Sequence, residues 1–509
     1  MRGDISKTMK KINLLPFLLF PILTISCDQK VPEVQESTKE FDEPHRPQYH
    51  FTPAANWMND PNGMVYLDGK YHLFYQYYPD STIWGPMHWG HAISTDLVHW
   101  EHLPVAIEPD SLGYIFSGSA VIDHDNTSGL GTKENPAMVA IYTYHDPVGE
   151  KEKRIDFQTQ GIAYSTDKGR TWTKYAGNPV LKNPGIKDFR DPKVSWIEGD
   201  NGSGKWVMAL AVLDRISFYY SPNQLDRTLE SSFNPDWAAY GGVWECPDLF
   251  QLKAADGTEK WVLFVSINPG GPNGGSATQY FVGDFDGKNF TAEHDDVKWL
   301  DYGADNYAGV TWSNVPEQDG RRLFIGWMSN WDYAQVVPTH PWRSATTLPR
   351  SLELVTSGDG YQVASRPVAE LQALRKSTLE ISGESIVLEE ELVELELTPT
   401  VGIDFEIELS NEKGEKVIFK KSGDSLVFDR TASGLVDFEA RFAKVHTAPL
   451  NGLEVKSLRI YIDRSSVEIF VNDGEMVMTE LVFPTEPYKR LKLTGFENPG
   501  SMHYLKSIW

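Results

Sequence analysis

The chain has 509 residues, 40% of them hydrophobic, and a formal charge of −24. That length exceeds what one ordinary domain needs, and the apolar content suffices for a sizeable core, so two domains are expected. The charge argues against nucleic acid or an anionic membrane surface as partner, because phosphate binding needs clustered Lys and Arg, and it favours a neutral substrate; the same acidity also serves solubility.

At the N-terminus, Lys10 and Lys11 precede an apolar run from Ile12 to Ile25. Such a run has the length of an export signal's apolar region and is too short to span a bilayer comfortably. It ends in Leu23-Thr24-Ile25-Ser26-Cys27, which resembles a bacterial lipoprotein processing box, although the leucine sits four places before the cysteine rather than three. Residues 1–27 are therefore read as a signal peptide ending at a lipidated Cys27, with membrane contact only through that lipid. The polar, charged residues 28–48 read as a flexible tether. The second cysteine is Cys246, so no disulfide framework exists.

Residues 49–354 hold short alternating or apolar runs such as Tyr71–Tyr77, Ala137–Tyr144, Trp206–Val212 and Trp261–Ile267, separated by Gly, Asn, Asp and Pro. Abundant aromatics (16 Trp, 22 Tyr, 24 Phe) with 41 Gly and 31 Pro fit strands and turns better than long helices. A repeat is visible: Gly90-His91-Ala92-Ile93-Ser94-Thr95-Asp96 returns as Gly161-Ile162-Ala163-Tyr164-Ser165-Thr166-Asp167, with a weaker echo at Tyr280–Asp286. A unit of about 70 residues suggests four-stranded propeller blades. A seam is expected after Leu354, then a linker over 355–375 with a short helix at Val368–Arg375. Residues 376–509 alternate well (Val387–Leu397, Ile403–Leu409, Leu458–Ile462, Ser466–Val471) and contain the hairpin turn Asn472-Asp473-Gly474, as a β-sandwich would.

Three carboxylates sit in unusual settings. Asp60 lies in Trp57-Met58-Asn59-Asp60-Pro61-Asn62-Gly63, which by itself is ordinary turn chemistry. Asp191 follows Arg190 in Phe189-Arg190-Asp191-Pro192, and an adjacent guanidinium favours the ionised form, which suits a charge stabiliser. Glu245 lies in the apolar Val243-Trp244-Glu245-Cys246-Pro247; a glutamate there is costly to bury charged, as a general acid requires. Cys246 has no suggested histidine partner and reads as packing. His88, His91, His99 and His102 have strand and turn spacings rather than those of a ligand set, so no metal is expected.

Together with Phe116-Ser117-Gly118-Ser119, Trp84–His91, Gly326–Trp331, Pro341-Trp342-Arg343 and Asp463–Phe470, these segments, in this order, resemble the glycoside hydrolase family 32 β-fructosidases, the invertases, inulinases and levanases. The resemblance spans roughly residues 49–509. It implies an all-β fold, a five-bladed β-propeller followed by a C-terminal β-sandwich, and a retaining hydrolase of fructans, fructooligosaccharides or sucrose with no cofactor and no metal. Asp60 matches the nucleophile, Asp191 the transition-state stabiliser and Glu245 the acid/base. Asn59, Gln76, Trp84, Ser117, Arg190 and Trp331 match positions that line the fructose pocket, and Trp57, Met58 and Phe116 are expected beside them. Asp305 is a further possible contact, although the family more often has Phe where Asn306 follows it. An endo-acting fructanase, a fructosyltransferase and a non-catalytic surface binder of fructan share these features, and linkage preference, β-2,6 or β-2,1, stays open.

Overall fold

The computed structural model describes residues 41–198, 204–358 and 360–509; the expected signal peptide, Cys27 and most of the tether lie outside them. Five sheets of successive antiparallel strands occupy residues 56–367. Their first strands are β1 (Asn56–Leu67), β2 (Tyr114–Ile122), β3 (Phe189–Glu198), β4 (Val243–Lys253) and β5 (Tyr307–Thr311). β1 touches β2, β2 touches β3, β3 touches β4, β4 touches β5, and β5 returns to β1, so the five sheets form a closed ring of blades about one axis. Closure is reinforced where Trp342 and Arg343, from the last blade, pair in parallel with Asn56 and Trp57 of the first. Apolar clusters fill the gaps between blades, for example Val139, Ile162, Phe189 and Met208 between the second and third.

The sequence repeat marks one position in this architecture. Gly90–Ser94, Gly161–Ser165 and Tyr280–Phe285 all lie in third strands, His88–Ser94, Gln158–Ser165 and Ala277–Phe285. The repeated serine donates to the aspartate two residues on, Ser94 to Asp96 at 3.0 Å and Ser165 to Asp167 at 2.8 Å, which closes the turn that follows.

The expected seam after Leu354 is corrected by the last blade. Arg350–Ser357 and Gly360–Pro367 are its third and fourth strands, paired along their whole length, so the propeller runs to Pro367. A 3-10 helix at Ala369–Leu374 then leads into two six-stranded sheets. Lys416–Ser422 and Ser425–Ala432 bury alternate residues, and Leu395, Ile407, Phe419, Ile460, Ile469 and Leu491 pack between the sheets. The expected tether is also shorter than read: Phe41 stacks on Trp509 at 4.1 Å, and the buried Arg46 donates to Thr52 Oγ1 (2.9 Å) and Pro53 O (2.7 Å).

Propeller and sandwich share a polar junction. Tyr302 N and Asp305 N donate to Val477 O and Thr479 O, so this stretch runs along the edge of Met476–Leu481. A Cβ on Gly303 would meet Thr479 N at 2.2 Å, which is why no side chain fits there. Arg350 pairs with Asp301 (3.2 Å) and Glu468 (2.5 Å), and Arg430 with Asp305 (2.6 Å) and Glu480 (3.2 Å), all buried. Asp305, expected as a possible substrate contact, is thus fully buried in the junction.

His50 stands in the same layer, with Nδ1 2.8 Å from Asp463 and Nε2 2.8 Å from Glu468. Burial alone would lower its pKa, but hydrogen bonds and attraction from the two carboxylates raise it to about 9. A folded-state value above the usual 6.5 means the stabilisation is fully present below about pH 6.5 and is lost as pH rises through about 9. We therefore expect the thermal midpoint to fall between pH 7 and 9.5. His50→Gln should cost about 3–5 kcal/mol, since it strands two buried carboxylates, and should flatten that decline. Unfolding curves at both pH values check this, and an unchanged slope in the variant would refute the imidazolium assignment.

Candidate active site

Each inner strand is interrupted near its N-terminal end. Pairing register shifts between Met58 and Pro61, Ile115 and Gly118, Arg190 and Lys193, Glu245 and Asp248, and Tyr307 and Val310. Such bulges bend a strand and re-aim its side chains. Asp191, Cys246 and Ala308 accordingly adopt left-handed backbone angles, φ 62°, 45° and 52°. The result is a ring of redirected residues at one end of the propeller axis: Asp60, Ser117, Asp191, Glu245 and Tyr307.

The first four line a pocket of about 270 Å³, and the buried Tyr307 stands behind Glu245. Of the site residues expected from sequence, Asn59, Asp60, Gln76, Trp84, Phe116, Ser117, Arg190, Asp191, Glu245 and Trp331 line it. Trp57 and Met58 do not. Both are fully buried beneath the floor, where the Trp57 indole stacks on Trp331 at 5.8 Å and its N–H donates to Asn59 Oδ1 at 2.8 Å. Their part is to position Asn59, whose amide donates to Asp60 Oδ1 at 2.8 Å.

Asp60 also accepts from Ser117 Oγ at 2.9 Å. Burial first, and repulsion from Glu245 second, raise its pKa to about 6 against the pull of the Asn59 and Ser117 hydrogen bonds. Asp191 accepts from the Cys246 backbone N–H at 3.1 Å, and its own N–H donates to Thr143 Oγ1 at 3.0 Å. Burial and Glu245 lift Asp191 to about 7, outweighing the opposing pull of Arg190. The Cys246 thiol lies 3.8 Å from Asp60 and 3.7 Å from Asp191, and burial among these carboxylates holds it well above its usual range, so it stays a thiol that fills the space between them.

Arg190 pulls Asp191 toward the ionised form as expected, yet forms no ion pair with it. Its ion pairs go to Glu245 (3.0 Å) and Asp188 (2.7 Å) rather than to the neighbouring Asp191. The apolar setting expected for Glu245 is likewise replaced by polar contacts, because its other carboxyl oxygen accepts from the Tyr307 hydroxyl. Tyr307, Asp188, Gln158 and His145 escaped sequence reasoning. His145 stacks on Phe116 at 4.3 Å, with Glu150 of the short helix Pro147–Lys151 3.1 Å from its Nε2, and forms one wall. The one sequence signal was the charged run Lys187-Asp188 ahead of Phe189.

The family models for the N-terminal domain and the C-terminal domain of glycosyl hydrolases family 32 match residues 50–367 and 362–509. The chain belongs to glycoside hydrolase family 32. It is 49% identical to a levanase of Bacillus subtilis over 497 residues, 92% of this chain and 72% of that one. An extracellular exo-inulinase of Aspergillus awamori is 40% identical over 89% of this chain and 93% of its own. The crystal structure of exo-inulinase from that fungus superposes with a TM-score of 0.83, covering 92% of this chain and all of the other. A fructofuranosidase of Schwanniomyces occidentalis complexed with fructose gives 0.81 at 33% identity, with 92% and 100% covered. As a family 32 member the protein is a glycosidase with a propeller and a sandwich, and the propeller boundary at Pro367 coincides with the end of the family's N-terminal domain.

Proposed function

We propose that the chain is an exported β-fructosidase that removes terminal fructosyl units from fructans with retention, held at the membrane by a lipid on Cys27. The observation that carries this reading is the convergence of Asp60 and Glu245, from β1 and β4, on one small pocket. Retaining hydrolysis needs two carboxyl groups on opposite sides of the scissile bond, one to attack and one to protonate the leaving oxygen. Asp60, oriented by Asn59 and Ser117, attacks the anomeric carbon; Glu245, oriented by Arg190 and Tyr307, protonates the departing sugar and then deprotonates the water that releases fructose. Asp191 accepts hydrogen bonds from ring hydroxyls as positive charge develops on the ring.

A pocket of about 270 Å³ falls below the usual range for drug-sized ligands and suits a single terminal unit, not a polymer running through a groove. A product time course with levan, inulin and sucrose tests this: fructose alone from the earliest points is expected, and a ladder of oligosaccharides would overturn it. The extracellular relative and the apolar run before Cys27 support export; Cys27→Ser should abolish incorporation of labelled palmitate.

The pH profile offers another check. Attack requires ionised Asp60, so kcat/KM should rise through about pH 6. Removing the hydroxyl that favours the ionised form, in Ser117→Ala, should move this limb to higher pH. A limb that stays in place would separate it from Asp60.

A further inference from the structure

A second pocket, of about 440 Å³, lies at the opposite end of the propeller axis. Its walls come from the distal halves of the strands that carry the active site: Val121 and Ile122 of β2, Val194 to Trp196 of β3, and Leu249 to Gln251 of β4. Trp196 stands five residues beyond Asp191, about 16 Å at the usual strand rise.

The lining combines aromatic faces with hydrogen-bonding groups. Trp196 and Trp261 are partly exposed there, and Trp206, edge-on to Trp196 at 5.0 Å, is fixed by donating to Thr127 Oγ1 at 2.8 Å. Arg322 covers the Phe250 ring at 5.5 Å and takes part in no ion pair among the described residues. It is partly exposed, and burial holds its pKa below the usual range against the attraction of Asp248. His124 and Asn314 meet at 2.8 Å on the rim. Asp123 and Asp125 line the same pocket, which disfavours an anionic ligand despite the guanidinium. Flat apolar faces beside fixed donors and acceptors match the alternating C–H faces and hydroxyls of a neutral sugar.

We propose that this distal pocket is a second, non-catalytic carbohydrate site that holds a fructan segment while a chain end is cleaved at the other end of the axis. The inference rests on the fructan reading above. A polymer held there raises the local concentration of chain ends without changing the chemistry, so its effect is confined to long substrates.

The test uses Trp196→Ala and Arg322→Gln in the full chain. Retention in native gels cast with levan or inulin, in an Asp60→Asn background that spares the polymer, should fall at least about threefold in each variant. In otherwise wild-type protein, KM for polymer should rise about 3–10-fold with sucrose turnover unchanged, the size expected for loss of a weak second anchor. Wild-type retention and polymer KM in both variants would overturn the proposal. If Trp196→Ala also loses sucrose turnover, its packing has failed and Arg322→Gln, which opens no core, decides alone. Failure of the wild-type protein on sucrose, levan and inulin together would instead strike the fructosidase reading.

Discussion

Asp60→Asn is expected to lower kcat by about 10⁴–10⁵-fold, the scale seen when a nucleophile is removed from an intact site. Asn keeps the shape and can still accept from Ser117, so the pocket should survive while the attacking oxygen is lost. Stability should move the other way. The Asp60 pKa is raised from 3.8 to about 6, so the folded protein is penalised as pH climbs from about 4 to 6, and the full penalty persists above. The variant should therefore be more stable than wild type at pH 7, by about 2–3 kcal/mol, and equal to it below pH 4. Fructose release and denaturant unfolding at both pH values check the pair. Activity within tenfold of wild type, or a variant destabilised at pH 7, would make Asp60 a structural residue.

Glu245→Gln should reduce hydrolysis of sucrose and fructans by about 10²–10⁴-fold, the contribution of a positioned proton donor. The substitution keeps an acceptor for Tyr307 and loses the ion pair with Arg190. Its signature is dependence on the leaving group. A fructoside whose leaving group needs no proton should form the fructosyl-enzyme at near wild-type rate and stall there, because the water has lost its base. Added azide, which needs no base, should release the stalled enzyme as fructosyl azide. Equal loss for good and poor leaving groups, without azide rescue, would assign Glu245 an electrostatic role only.

How far these residues were legible from sequence follows from the kind of information each carries. Alternation and the Gly-x-x-x-Ser-Thr-Asp repeat encode local strand and turn preferences, and they led to the blades. Glu245 stood out because its apolar neighbours make a charge expensive, whereas Asp60, in an ordinary turn sequence, and Asp191, beside an arginine, stood out only through the ordered set of motifs they belong to. Partners were harder. Arg190 and Asp191 are adjacent, but the bulge and the left-handed angle at Asp191 turn their side chains apart, and Arg190 finds Glu245, 55 residues away. Trp57 and Met58 share a motif with Asp60 yet stay beneath the floor, because the register shift between Met58 and Pro61 re-aims the residues that follow them. Tyr307 follows Asp305 and Asn306 in a stretch with no outward sign of its bond to a glutamate 62 residues earlier. The seam was misplaced because Arg350–Ser357 is polar at its end while still fully paired.

The junction between the two domains has a bearing on the order of events during synthesis. Asp301 finds Thr479 178 residues downstream, Arg350 finds Glu468 118 residues downstream, and His50 waits for Glu468 across 418 residues. Domains ordinarily fold in turn as they leave the ribosome, the first before the second is made. Here the first cannot pair its junction charges until all but about the last 30 residues have been made. Blades pair within themselves and can form earlier, so docking of the two domains is the step that waits for this late strand.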